Sequence, residues 1–254
     1  MKPILVVFDI DGTAVEARPD AQPSKRLIEV ITRLLSEKPY IHLACATGRT
    51  FPWAKSVTIQ LGLIDPCIVS AGTQIVDPKT GKEVWSKRLT SDGVASSLSV
   101  LISKNIDTKI LTETDTPDTA KIASQLKSEP YLLLDVQDIE PTQVEEVVSR
   151  IKSVADVEIA KVDSPRKGYI NLHITDKYAT KEHAVDELRS MLGIELNNSY
   201  GIGDGYNDIH LFNSVGNKIA MGNSVQELKS VADKVIGNLE DDGLAEYLES
   251  FLIK

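Results

Sequence analysis

Branched apolar residues recur near the start of the chain in short continuous runs: PILVVF at 3–8, IHLACAT at 41–47 and CIVSAGTQIV at 67–76. Runs without polar alternation suit strands covered on both faces, as in a parallel sheet lying between helices. Between the first two runs, Leu27, Ile28, Ile31, Leu34 and Leu35 return at helical spacing, and Ser24 is suited to cap that helix. Strand, helix, strand, helix, strand predicts an α/β protein with a doubly wound, Rossmann-like parallel sheet.

The rhythm changes after residue 77. Asp77-Pro-Lys-Thr-Gly81 is a turn cluster, and VWSKRL returns from it as a hairpin partner. Val94–Lys104 predicts a helix, and ILTET (110–114) and YLLLDVQ (131–137) predict strands. Thr142-Gln-Val-Glu145 is a capping-box signature that opens a helix running to about Ala155. VEIAKV and YINLHI follow as strands on either side of Ser164-Pro-Arg-Lys-Gly168. The order αββαββ predicts a small α+β module inserted into the parallel core. The core resumes at Thr180 with a helix in which Ala184, Val185, Leu188 and Leu192 share a face. Short strands at SYGIG, KIAMG and KVIG then alternate with helices. The expected organisation is a core of 1–84 and 177–254, with an inserted cap at 85–176.

With 254 residues, 42% of them hydrophobic, the chain can bury a substantial core. No apolar run approaches the ~18 residues that span a bilayer. The opening PILVVF runs directly into charged residues, with no signal-peptide pattern. A cytoplasmic protein with no membrane partner is expected. The net charge of −9 counts against nucleic acid as a partner. Cys45 and Cys67 lie in apolar strands and are expected to be buried free thiols. Nothing in the pattern points to an oligomeric state.

Four segments carry chemistry, and each falls at the end of a predicted strand or the start of the following helix, the edge where open α/β sheets bind ligands. The first is Asp9-Ile-Asp11-Gly12-Thr13. Residues two apart in extended backbone face the same side, with Cα atoms roughly 6–7 Å apart, so the two carboxylates can project together. Gly12 allows the backbone close to an anion. The second is Thr47-Gly48-Arg49, where a hydroxyl and N–H groups beside a glycine suit phosphate oxygens. Arg49 and Trp53 fit a ligand contact or a scaffold role equally well. The third is Lys181, after Thr180 as a candidate helix cap; a lysine in the first turn opposes the helix dipole, and such local conflicts gather at functional sites. Lys177, four residues earlier, is its competitor. The fourth is Gly203-Asp204-Gly205-Tyr206-Asn207-Asp208, whose glycines permit a tight turn around a hard cation. Magnesium takes one or two carboxylates plus water, a need that Asp9 and Asp204 meet, with Asp208 placed to hold a coordinated water or to orient Asn207.

These segments, with TKEHAVDEL, GIGDGYNDIHLF and the later AMGNSVQELKSVAD, resemble the haloacid dehalogenase-like superfamily, and within it the Cof-type, subfamily IIB phosphatases with a small αββαββ cap. The resemblance covers the whole chain. It implies a phosphatase acting on a small-molecule phosphate monoester, a sugar phosphate or a phosphoglycolate-like compound, through an aspartyl phosphate. It implies Asp9 as nucleophile and Asp11 as general acid/base, with phosphate contacts from Thr47, Lys181 and Asn207. It implies Mg²⁺ held by Asp9, the Asp11 carbonyl and Asp204. Asn223, which would otherwise cap a helix at 224–231, falls in a segment typical of the family. A phosphosugar mutase using the same site and a receiver-like phosphoacceptor switch are the alternative readings. In the inserted module, Arg166, Lys167 and Tyr169 are either substrate contacts or a solvated hairpin turn.

Overall fold

The run at Ile4–Phe8 forms β1, and the computed structural model, which describes residues 2–18, 20–106, 108–111 and 131–253, places it inside a parallel sheet. Its neighbours are β2 (Ile41–Cys45) on one side and β10 (Ser199–Gly203) on the other. Beyond β10 lie β11 (Asn217–Ala220) and β12 (Lys234–Val235), so the sheet runs β12-β11-β10-β1-β2. The register pairs Phe8 with both Cys45 and Ile202, which leaves the residues after all three strands flush at one edge.

Both faces of β1 are dry, as its unbroken apolar run requires. Val6 and Phe8 join a core with Leu43, Cys45 and Ile202 against α1 (Lys25–Glu37) and the terminal helix α8 (Gly243–Ile253). Leu5 and Val7 face the opposite way, with Ala44, against α5 (Lys181–Leu192) and α6 (Asp208–Asn213). Each fully buried side chain of this size contributes about 1.5–3 kcal/mol of transfer free energy. Ser24 caps α1, its hydroxyl accepting from the Leu27 N–H at 3.0 Å. Cys45 and Cys67 are buried free thiols, with the Cys45 N–H 3.5 Å from Cys67 Sγ.

The apolar stretch 67–76 is two strands rather than the single one its composition predicts. β3 (Cys67–Val69) ends at a turn through Ser70 and Ala71, and β4 (Gln74–Val76) runs back antiparallel to it. Ser70 and Ala71 both take positive φ, at 53° and 59°. That region is costly for residues other than glycine, and neither residue signals it in the sequence. β5 (Glu83–Ser86) continues this small sheet as the hairpin partner after the Asp77–Gly81 turn.

The chain divides into two units, Met1–Trp85 with Lys181–Lys254, and Ser86–Thr180. The second unit contains α3 (Ser91–Ser103), β6 (Thr108–Leu111), β7 (Leu133–Ile139), α4 (Pro141–Val154), β8 (Val157–Asp163) and β9 (Ile170–Asp176). The four strands form an antiparallel sheet in the order β6-β7-β9-β8. Leu134, Val136, Leu172 and Ile174 bury one face of it with Leu98, Leu101, Val147 and Ile151 of the two helices. Of the expected ILTET strand, Thr112, Glu113 and Thr114 lie outside the described residues. The expected capping box is displaced: α4 begins at Pro141 behind Glu140, so Thr142 and Glu145 are already helical and cap nothing. Proline at the first helical position fixes φ there and needs no N–H partner, which moves the start upstream of the threonine.

Candidate active site

The edge where β1, β2 and β10 end gathers three carboxylates and one ammonium. Oxygen atoms of Asp9, Asp204 and Asp208 all lie within 4.8 Å of one another. Lys181 Nζ donates to Asp9 Oδ2 and to Asp208 Oδ1, each at 2.7 Å. The Lys181, Asp9 and Asp208 side chains are 2%, 6% and 0% exposed, so this is a dry ionic cluster rather than a surface one. Lys181 reaches it because it is the first residue of α5, whose Ala184, Val185 and Leu188 face packs on the sheet. Lys177 points elsewhere, donating to Asp156 Oδ2 at 2.5 Å within the second unit.

The turn after β10 is built around Asp208. One of its oxygens takes Lys181 and the other accepts the Asp204 and Gly205 N–H groups at 2.9 and 3.0 Å. A Cβ on Gly203 would lie 2.3 Å from Asp208 Cγ, so the turn closes only on glycine. Asp208 therefore shapes the loop that carries Asp204, a task that sequence spacing does not reveal. Asn207 precedes α6 and is largely buried, with its carboxamide oxygen over Gly205.

The loop after β1 meets this turn directly. Thr13 Oγ1 donates to Asp204 Oδ1 at 2.7 Å, and the Ile10 N–H donates to Asp9 Oδ1 at 2.6 Å. Gly12 has φ +76°, and a Cβ there would fall 2.0 Å from Asp204 Oδ2. Asn223 does not cap a helix, since α7 (Gln226–Val231) starts behind Val225. Its Nδ2 instead donates to the Gly12 carbonyl at 2.8 Å, and its Oδ1 accepts the Leu239 N–H at 2.9 Å. Nothing in the sequence singles out Thr13: its partner is 191 residues away, and threonine after Asp-Gly is ordinary turn chemistry.

Thr47 is fully buried at the end of β2, and its Oγ1 accepts the Arg49 N–H at 3.1 Å; Gly48 between them is half-buried. The Asp11 carboxylate stands apart from the three clustered ones and pairs with the Arg49 guanidinium. Trp53 is 60% exposed.

Burial pushes the Asp9 carboxyl well above the usual carboxylate range, and the charges of Asp208 and Asp204 add to the rise against the pull of Lys181. Burial works to lower the Lys181 ammonium, yet Asp208 and Asp9 together raise it, so it stays charged. Three carboxylates against one ammonium leave a formal excess of −2, two of the carboxylates buried and Asp204 partly so. Hard oxygen donors in that number and with that charge fit a divalent cation such as Mg²⁺, which Asp9, Asp204 and Asp208 would hold between them. Chemically, the arrangement presents a buried carboxylate oxygen beside a fixed positive charge, which suits attack on an anionic, electrophilic centre.

The chain is similar to known hydrolases along most of its length. A model of the haloacid dehalogenase-like hydrolase family matches residues 6–128 and 112–248. The HMP-PP phosphatase of Serratia proteamaculans (strain 568) is 26% identical over 265 residues, covering 98% of this chain and 95% of that protein. Phosphoglycolate phosphatase 1 of Saccharolobus solfataricus is 37% identical over 81 residues, covering 32% of this chain and 36% of its own. Among solved structures, a HAD subclass IIB sugar phosphatase superposes with a TM-score of 0.81 at 20% identity, covering 99% of this chain and all of the other.

Proposed function

The chain belongs to the haloacid dehalogenase-like hydrolase family, and from that premise we propose that it is a Mg²⁺-dependent phosphatase of small phosphorylated metabolites that works through an aspartyl phosphate on Asp9. The observation that carries the reading is the placement of Asp9: a buried carboxylate within 4.8 Å of two others, with Lys181 Nζ 2.7 Å from its Oδ2.

A phosphate monoester brings further negative charge to a site already in excess by two. Asp9, the Asp11 carbonyl and Asp204, with Asp208 behind them, would hold Mg²⁺, which would supply the charge neutralisation that lets carboxylate and phosphoryl group approach. Lys181, Thr47, Asn207 and the backbone at Gly12 and Gly48 then orient the phosphoryl oxygens. Lys181 does so from a fixed position, because two carboxylates hold it, and preorganised charge of this kind is the main source of rate in phosphoryl transfer. Asp9 attacks phosphorus as Asp11 gives a proton to the leaving oxygen. Asp11 then takes a proton from the water that hydrolyses the aspartyl phosphate, and free phosphate departs.

The named activities of the relatives, on HMP-PP and on phosphoglycolate, support a small, anionic, phosphorylated metabolite as substrate class. Release of inorganic phosphate from a panel of phosphorylated metabolites, with and without Mg²⁺, tests the proposal. Steady turnover is expected. An isomerised sugar phosphate without net phosphate release, as in a mutase, would overturn it, and so would a stable phosphoprotein that never turns over.

A further inference from the structure

Arg49 grips Asp11 as a fork. Its Nε donates to Asp11 Oδ2 at 2.9 Å and its Nη2 to Oδ1 at 2.5 Å, so one guanidinium takes both carboxylate oxygens. Two further donors are tied to backbone: Nη2 to the Arg18 carbonyl at 3.1 Å and Nη1 to that of Trp53 at 3.4 Å. The main chain of Arg49 is fixed as well. Its N–H donates to Thr47 Oγ1, and its carbonyl accepts the Ser70 N–H at 2.8 Å from the turn with positive φ. The Arg49 side chain is 10% exposed and that of Asp11 34% exposed. A well-anchored guanidinium thus presents a more accessible carboxyl.

We infer that Arg49 is a positioning residue for the leaving-group step, setting where the Asp11 carboxyl stands when the phosphoryl group departs. The inference rests on the phosphatase reading above. An arginine that bound the phosphate would keep its fork open toward the ligand, whereas this fork is closed on Asp11. A purely structural arginine would need no bidentate hold on Asp11, the acid of the Asp9-Ile-Asp11 pair that lies outside the carboxylate cluster. In the first half-reaction, the bond from phosphorus to the leaving oxygen breaks, the bond to Asp9 forms, and the Asp11 proton passes to the departing alcohol. The carboxylate left behind has the shape that the fork receives. In the second half-reaction, water gives its proton back to Asp11 as its oxygen bonds phosphorus and Asp9 is released.

Leaving groups separate this role from a structural one. A p-nitrophenolate departs without a proton, while the alkoxide of glycerol phosphate does not. Arg49→Met is expected to lose roughly 10²-fold on glycerol phosphate but less than about tenfold on p-nitrophenyl phosphate in kcat/KM, which reports only the first half-reaction. Asp11→Asn is expected to show the same split, and the double variant to be no slower than Asp11→Asn alone, because the two residues act as one unit. Arg49→Lys keeps the charge without the fork and is expected to recover only a small part of the loss, which preserves the test if the methionine variant folds poorly. Equal losses on both substrates in the Arg49 variants, or additive losses in the double variant, would overturn the inference while leaving the phosphatase reading intact. Turnover by Asp9→Asn, or no split in Asp11→Asn, would overturn both.

Discussion

Gly12 and Asp204 occupy what would be the same space if Gly12 carried a side chain: a Cβ on the glycine would lie 2.0 Å from Asp204 Oδ2. The φ of +76° at Gly12 makes a side chain there costly for a second, independent reason. Gly12→Ala is therefore expected to destabilise the protein by about 1–3 kcal/mol and to displace Asp204. Urea unfolding reads the first effect. A raised Mg²⁺ concentration for half-maximal activity reads the second, and wild-type values for both would show that the loop adapts.

Asp9→Asn is expected to abolish turnover, since an amide is a poor nucleophile and a poor ligand for a hard cation. The fold should survive, and the melting temperature without metal should not fall, because burial beside Asp204 and Asp208 already favours an uncharged group at position 9. Initial rates and thermal melts on the same preparation check both halves.

Lys181 is the ammonium shared by Asp9 and Asp208, and its removal strands two buried carboxylates. Lys181→Met is expected to cost about 3–5 kcal/mol of stability and roughly 10²-fold or more in kcat. Lys177→Ala, which breaks an exposed pair with Asp156, should leave both within a small margin of wild type. The reverse ranking of the two lysines would refute this geometry.

Because burial, Asp208 and Asp204 raise the Asp9 carboxyl, its neutral form is the one the metal-free fold prefers. The stability tied to this group is fully present below the unfolded carboxylate range and is lost as pH rises through the raised folded value. A divalent cation binds the ionised form and releases the proton. The Mg²⁺-induced rise in melting temperature is accordingly expected to grow with pH from mildly acidic conditions to neutrality, and to flatten in Asp9→Asn. Chelation by EDTA should silence activity, and added Mg²⁺ should restore it.

Local pattern was enough to read the parallel core. β1 and β2 follow from unbroken apolar runs, α1 from its spacing and from Ser24, and the two helices and antiparallel strands of the second unit from the change of rhythm after residue 77. Reading stopped where the deciding contact is distant or the backbone unusual. Nothing local distinguishes Val69-Ser70-Ala71 from continuing strand, because the left-handed turn is held from outside by the Thr47 and Arg49 carbonyls. Asn223 reads as a helix cap until the fold brings it to the Gly12 carbonyl, 211 residues away. At the site itself, the motif glycines and acids announce themselves as types. That Asp208 ties the Asp204 turn to Lys181, and that Arg49 takes Asp11, emerges only once the three strand ends of β1, β2 and β10 are flush.

The order of strands in the sheet also has a consequence for synthesis. β1 pairs on one side with β2, made soon after it, and on the other with β10, where Val6 lies against Tyr200. At a translation rate of about 5–20 residues per second, the strand that leads into Asp9 waits roughly 10–40 s for its second neighbour. Throughout that interval the nascent chain carries an open, apolar edge beside Asp9 and no assembled chemistry. Asp9 is thus made well before Lys181, Asp204 and Asp208, so a ribosome-bound fragment that ends short of β10 holds no assembled cluster.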